Sequence, residues 1–305
     1  MKFGVREICD VVFKAKNAGK LGTFSYVAGQ PVLYIDSAKT STMEGAATTV
    51  YAQGGKGNAR LIAWEGERTL TFTVEDALLS PMGFAILSGA GLMKASADHT
   101  VYVHTTANAI LDTNGNIDLT DVLGTNEKIH DNAPVFVMAM KQGSIDSMLS
   151  NFEVDATGKK LTTTDKPEAQ TDVFVDFYIA KTEGAYELTI DVENFAGYYY
   201  VEASTLFRRE IDGKDLPAEL IFPNVKIQSN FTFSMAATGD PSTFTFTMDA
   251  MPGYTRFDRS KKVLCAIQIV DEDAAVTGAE VDSTATVADG ELLYPIVDAD
   301  EGEGA

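Results

Sequence analysis

The chain is poor in the residues that metal, redox and base chemistry draw on: 305 residues contain two cysteines, three histidines and one tryptophan. Cys9 and Cys265 lie near opposite ends, and His99, His104 and His130 form no Cys/His cluster, which excludes a structural zinc site. Two cysteines permit one long-range disulfide or two free thiols. Free thiols are expected here, because residues 1–20 carry Lys2, Arg6, Glu7, Asp10, Lys14 and Lys16 and no apolar stretch that would read as an export signal. Long hydrophobic runs are also missing. Val135–Met140 and Val263–Ile267 stop far short of the roughly 18–20 residues that a membrane helix needs. Positive charge is scarce, with 24 Lys and Arg against 44 Asp and Glu, a net charge of −20 and a pI near 4.4. That balance argues against a protein whose main task is gripping nucleic acid or docking on an anionic membrane.

What is present is apolar and strand-like. Hydrophobic residues make up 45% of the chain, enough to exclude wholesale disorder, and most of the sequence alternates with period two. Leu70, Phe72 and Val74 alternate with Thr69, Thr71 and Thr73. Phe231, Phe233 and Met235, then Phe244, Phe246 and Met248, alternate with Thr and Ser on either side of the turn-rich Ala237–Ser242, which predicts an antiparallel hairpin. Further strands are expected at Val32–Ile35, Val101–His104, Val135–Met140, Val173–Ile179, Tyr186–Val192, Tyr198–Ala203 and Val263–Val270. One helix is expected over about residues 75–89. Leu78, Met82, Ala85 and Ile86 form its apolar stripe, Ser80-Pro81 supplies an N-cap and first-turn pair, and Gly89 a stop.

Two stretches read as excursions. Residues 36–58 run through small and polar residues to Gly54-Gly55-Lys56-Gly57, a weakly structured loop that a compact domain rarely keeps without a use. Residues 98–170 differ in texture and leave through Thr162–Pro167, like an inserted region or a small second domain with a polar exit. Acid concentrates at the end. No Lys or Arg follows Lys262, and eleven of the twenty net negative charges fall in the last 43 residues.

No local motif assembles a chemical centre. Gln53–Asn58 lacks the spacing of a phosphate-binding loop and no helix follows it, so it reads as a hairpin tip. Asp112–Asp118 offers alternating oxygen ligands but has its glycine in the fourth place and Leu123 in the twelfth, so an Asn-Gly turn is the simpler reading. Tyr254–Lys262 mixes cations with aromatics and reads as a solvated loop or a salt-bridging surface toward an acidic neighbour. The Tyr198-Tyr199-Tyr200 run would serve strand and interface packing or, alternatively, sugar stacking. There is no Gly-x-Ser-x-Gly elbow and no recognisable context for a catalytic histidine, so neither an enzyme nor a cofactor-dependent protein is expected.

The stretch Gly54–Glu65 running on into Thr71–Pro81 resembles the tail tube proteins (major tail proteins) of tailed bacteriophages. Phe222–Ile227, Phe231-Thr232-Phe233, Gly239-Asp240-Pro241, Phe244–Met251 and Val263–Val270 resemble the later sheet of that family. The likeness covers roughly residues 20–95 and 185–273. It implies a mainly β fold, a β-sandwich or barrel with one flanking helix, a long loop reaching to neighbours, and six-membered rings stacked into a hollow tube for the genome. On that model residues 1–97 and 171–273 are the two halves of the tube domain, 98–170 an insert on the outer surface, and 274–305 an acidic C-terminal segment. The partners implied are further copies of the chain, other tail proteins such as sheath, terminator or baseplate, and DNA that passes without tight binding. The chain would be made in the host bacterial cytoplasm and end in the virion. Candidate inter-subunit contacts are the charged residues of the loop and of the basic stretch: Lys39, Glu44, Lys56, Arg60, Arg256 and Arg259. Two other classes compete, a decoration, baseplate or carbohydrate-binding adhesin module and a hydrolase on a β scaffold.

Overall fold

The computed structural model describes residues 2–271 apart from 126, 131, 233–236 and 239–241. The chain divides into two compact units, one formed by residues up to 92 together with those from 188, the other by residues 93–187. The first unit opens with β1 (Phe3–Val5), β2 (Asp10–Ala15), the small hairpin β3 (Gly19–Leu21) and β4 (Phe24–Tyr26), and β5 (Pro31–Ile35). Two very long strands follow, β6 (Ala38–Gly54) and β7 (Ala59–Asp76), then helix α1 (Pro81–Ser88) and β8 (Gly91–Lys94). The second unit holds β9 (Val101–Leu111), β10 (Asn116–Asp118), β11 (Phe136–Lys141), β12 (Ser144–Leu149), β13 (Phe152–Val154), β14 (Lys160–Thr163) and β15 (Thr171–Lys181). The chain returns through β16 (Tyr186–Thr189), which pairs with β8, and ends with β17 (Tyr198–Arg209), β18 (Asp215–Ile227), β19 (Phe244–Ala250) and β20 (Ala266–Ile269).

In the first unit one antiparallel sheet runs β5-β2-β17-β18-β19-β7-β6, with β1 beside β17 and β20 beside β18. Its inward face carries Val11, Phe13, Val74, Val201, Phe222, Val225, Ile227, Phe246 and Met248, all at most 2% exposed. The rings of Phe13 on β2 and Phe246 on β19 lie 5.9 Å apart, although β17 and β18 intervene. In a flat sheet three strand spacings would separate them by roughly 14 Å. The sheet therefore curls on itself, and its inner face closes into a barrel-like core.

Helix α1 sits against this core. Ser80 caps it by accepting a hydrogen bond from the Gly83 amide at 2.9 Å, Pro81 opens it, and Gly89 ends it in the left-handed region at φ 76°. It is shorter than the expected 75–89, because Glu75 and Asp76 belong to β7, where they pair with Thr245 and Phe244 of β19. It is also buried on every side from Gly83 to Ser88, where the sequence pattern predicted a single apolar stripe.

Other expectations shift through pairing that local sequence does not encode. Residues 36–58, read as a weakly structured loop, are mostly the outgoing strand β6, whose ladder with β7 runs from Ala38↔Asp76 to Gly54↔Ala59. β19 takes β7 and β18 as its partners, and Phe231 and Thr232 are in no strand. Phe233, Met235 and Gly239-Asp240-Pro241 of the predicted hairpin lie outside the described residues, as does the acidic segment 274–305. The tyrosine run is split by a bulge between Tyr199 and Val201. Tyr199 and Tyr200 are buried and only Tyr198 is exposed, so the three cannot form a sugar-stacking face.

The second unit is an antiparallel sheet in the order β12-β11-β15-β9-β10-β14-β13 around its own core, with Ile117, Leu119, Leu161, Val175 and Phe177 fully enclosed. β15 pairs with β9 without interruption from Thr171↔Leu111 to Lys181↔Val101. That ladder, the longest in the unit, places residues 171–181 here, whereas the composition change had placed the boundary at 170. Asp112 closes an Asn-Gly turn, accepting hydrogen bonds from the amides of Asn114 and Asn116 at 2.8 Å each, so its carboxylate is committed to the turn.

Candidate assembly surface

β6 and β7 leave the core as a two-stranded ribbon. From Met43 to Thr69 most residues are exposed and none is buried. Twelve residues of β6, from Met43 to Gly54, span roughly 40 Å at strand rise. The tip is the hairpin turn expected for Gln53–Asn58: Gly55, Gly57 and Asn58 all have positive φ, and the Asn58 amide donates to the Gly55 carbonyl at 3.2 Å. The base is fixed by Glu75, whose carboxylate accepts from Thr40 at 3.2 Å and from Thr243. These hydrogen bonds hold its pKa below the usual carboxylate value.

Along the ribbon the register puts Val50 opposite Trp64 and Ala52 opposite Ile62. Directly opposed residues share a face, so Val50, Trp64, Ala52 and Ile62 form one apolar row. Val50, Ile62 and Trp64 are 63%, 56% and 53% exposed. A bulge between Ala52 and Gln53 re-phases the tip and brings the Arg60 guanidinium over the Tyr51 ring at 4.2 Å. Charge on the ribbon is balanced, Lys56, Arg60 and Arg68 against Glu44, Glu65 and Glu67, in a chain whose total is −20. At its base a groove of about 640 Å³ runs between Met43, Gly45–Ala47 and Arg68–Leu70 on one side and Lys261–Cys265 with Ile267 on the other.

The six charged candidates are not gathered into one site. Lys39 and Glu44 lie near the base of β6, Lys56 at the tip and Arg60 just beyond it, all exposed. Arg256 and Arg259 lie on the loop between β19 and β20. Arg256 is half-buried, with its guanidinium 5.9 Å from the Tyr200 ring and its amide donating to the Tyr200 hydroxyl at 3.4 Å. The apolar row was missed by an argument from charge. Its signal was in the sequence: the single tryptophan, two residues from Ile62, in a stretch that also carries the large apolar residues Val50, Tyr51 and Leu61. Among the described residues no group of three or more His, Cys, Asp or Glu is placed to hold a metal ion. Cys9 and Cys265 are both free.

The first unit is thus a curled antiparallel sheet that holds out a charge-balanced two-stranded ribbon with an exposed apolar row. A family model describing the YomU/Tube protein family matches residues 7–261, and the chain belongs to that family. It is a phage tail tube structural protein, and its place is the virion. The match runs through residues 93–187, so the second unit lies within the matched span. No curated protein matches the chain. No helix among the described residues is long and apolar enough to cross a membrane.

Proposed function

We propose that the chain forms the tail tube by closing into six-membered rings that stack, leaving a channel through which the genome passes into the host. The observation that carries this reading is the apolar row Val50, Ile62 and Trp64 held clear of the core on a ribbon of zero net charge. Large apolar side chains on a projecting arm gain free energy only by meeting another surface. Because the ribbon is neutral, a second acidic copy can approach it without the repulsion that the rest of the chain would impose. Lys39 at the base of β6, Glu44, Lys56 and Arg60 on the ribbon, and Arg256 and Arg259 on the loop are the polar contacts that set register between copies. Ring closure is head-to-tail contact with cyclic symmetry, and stacking is the same kind of contact left open as a filament.

In this arrangement the tube domain is the first unit, residues up to 92 together with those from 188, and the second unit, residues 93–187, which includes the expected insert 98–170, faces outward, because material inside would block the channel. Acidic side chains lining the lumen repel phosphate, so DNA passes without sticking. The ends of the tube meet other tail proteins such as sheath, terminator or baseplate. Electron microscopy of the purified protein tests the reading. Annular or tubular particles are expected from the full chain. They should be lost when residues 47–68 are replaced by an Asn-Gly turn, which closes the shortened ribbon at the Ala46↔Thr69 pair. Persistent monomer at high concentration, or normal tubes from the shortened chain, would overturn it.

A further inference from the structure

We propose that the second unit binds a neutral pyranose, one ring of a glycan, in a hollow between the outward face of β9/β15 and the residues His130 and Asn132–Pro134. The hollow measures about 290 Å³ and is lined by Tyr102, His130, Asn132, Ala133, Pro134 and Tyr178. Tyr102 and His104 alternate on one face of β9, and the register places Ala180 opposite Tyr102 and Tyr178 opposite His104. The two tyrosines are therefore diagonal neighbours, and the small Ala180 leaves space beside them. His130 forms a third wall: its ring lies 4.7 Å from that of Tyr102, and its amide donates to the Tyr178 carbonyl at 2.9 Å, which ties His130 to the sheet. The His104 ring lies 5.4 Å from that of Tyr178, and its Nε2 is 2.9 Å from the Asp176 carboxylate.

The chemistry of this lining selects its ligand. Rigid tyrosine rings offer apolar faces with hydroxyl tips at little cost in conformational entropy. A pyranose has the complementary build, with a C–H face to lie on a ring and equatorial hydroxyls that need donors and acceptors at the edge. The His130 imidazole and the Asn132 amide supply those at the rim. The size is close to the lower bound of about 300 Å³ for ligand pockets, suited to a single ring. Among the described residues no Lys or Arg lines the hollow, and the Asp176 carboxylate lies next to Tyr178, so a sugar acid or a phosphorylated sugar would meet like charge. The tyrosine run at 198–200 offers no such face, since two of its rings are buried.

The test is saturation-transfer NMR on the full chain with methyl β-glucopyranoside, methyl β-galactopyranoside and N-acetylglucosamine, alongside glucuronate and N-acetylneuraminate. Transfer to the ring C–H protons of at least one neutral sugar is expected, with little to the acids. It should fall at least fivefold in Tyr102→Ala and Tyr178→Ala, survive in Tyr102→Phe, and be unchanged in Tyr198→Ala. Tyr102 is 56% exposed, so its alanine variant should keep the parent melting temperature even if Tyr178→Ala does not. No transfer to any neutral sugar, transfer unaffected by Tyr102→Ala, or stronger transfer to the acids would overturn the proposal. None of these outcomes bears on tube formation, which is read separately by microscopy.

Discussion

Trp64 allows the assembly reading to be tested with a single side chain. It is the only tryptophan, it stands on the apolar row opposite Val50, and it is 53% exposed in the isolated chain. A tryptophan buries on the order of 200 Å² when fully enclosed, so about 100 Å² remains to be covered on association. At about 25 cal/mol per Å² that is worth about 2.5 kcal/mol, or roughly sixtyfold in the concentration at which tubes form. Within the isolated chain Trp64→Ser loses only a cross-strand pair, about 0.2–1 kcal/mol. The expected result is a separation of effects: the melting temperature of dilute protein stays nearly constant while the critical concentration rises by more than an order of magnitude. Fluorescence gives the same answer in the parent protein, because its tryptophan emission should move to shorter wavelength as tubes form. Tubes that form with unchanged emission, or Trp64→Ser assembling at the parent concentration, would refute the ribbon as the contact.

Other expectations concern the folded unit itself. Gly89→Ala should cost more than about 2 kcal/mol in urea unfolding, because Gly89 has φ 76° and a Cβ there would lie 2.4 Å from the Phe195 carbonyl carbon. Ser80→Ala should cost about 1 kcal/mol through loss of the cap on the Gly83 amide, with no effect on assembly. Asp212 is held at about 2, from an ordinary 3.8, mainly by its hydrogen bonds from Arg209. Because folding lowers this pKa, its stabilisation is complete above 3.8 and fades as pH falls toward 2. Melting curves across that window should therefore flatten in Asp212→Asn, and an unchanged slope would count against the ion pair. Burial pushes the Cys265 thiol up to about 11 and raises that of Cys9, so at pH 8 both should resist a thiol reagent until the chain is denatured.

Much of the local structure was legible in the residues. Alternation of Phe244, Phe246 and Met248 with threonines gave a strand with one buried face, and those three side chains are in the core. Ser80-Pro81 and Gly89 marked the ends of the helix, since a cap and a left-handed stop depend on side-chain chemistry within a few residues. The glycines at 54–57 marked a turn for the same reason, and the scarcity of cysteine and histidine left little for redox or metal chemistry.

What sequence could not decide was which strand meets which. Residues 38–54 have weak β propensity, and only the ladder with β7 makes them a strand, because backbone hydrogen bonds to a distant partner override a poor local preference. Glu75 and Asp76 suit a first helical turn but are drawn into β7 by pairing with β19. Residues 171–181 belong to the second unit only because β9 is their neighbour. Tyr102, His130 and Tyr178, scattered along the chain, converge only after the sheet forms. Charge likewise had a total in the sequence but no placement: the neutral ribbon within an acidic chain emerged once β6 and β7 stood out from the core. Composition and short-range chemistry determined the class of structure, its turns and its caps. Long-range pairing, which costs chain entropy and returns hydrogen bonds and burial, decided the arm, the unit boundary and both candidate surfaces.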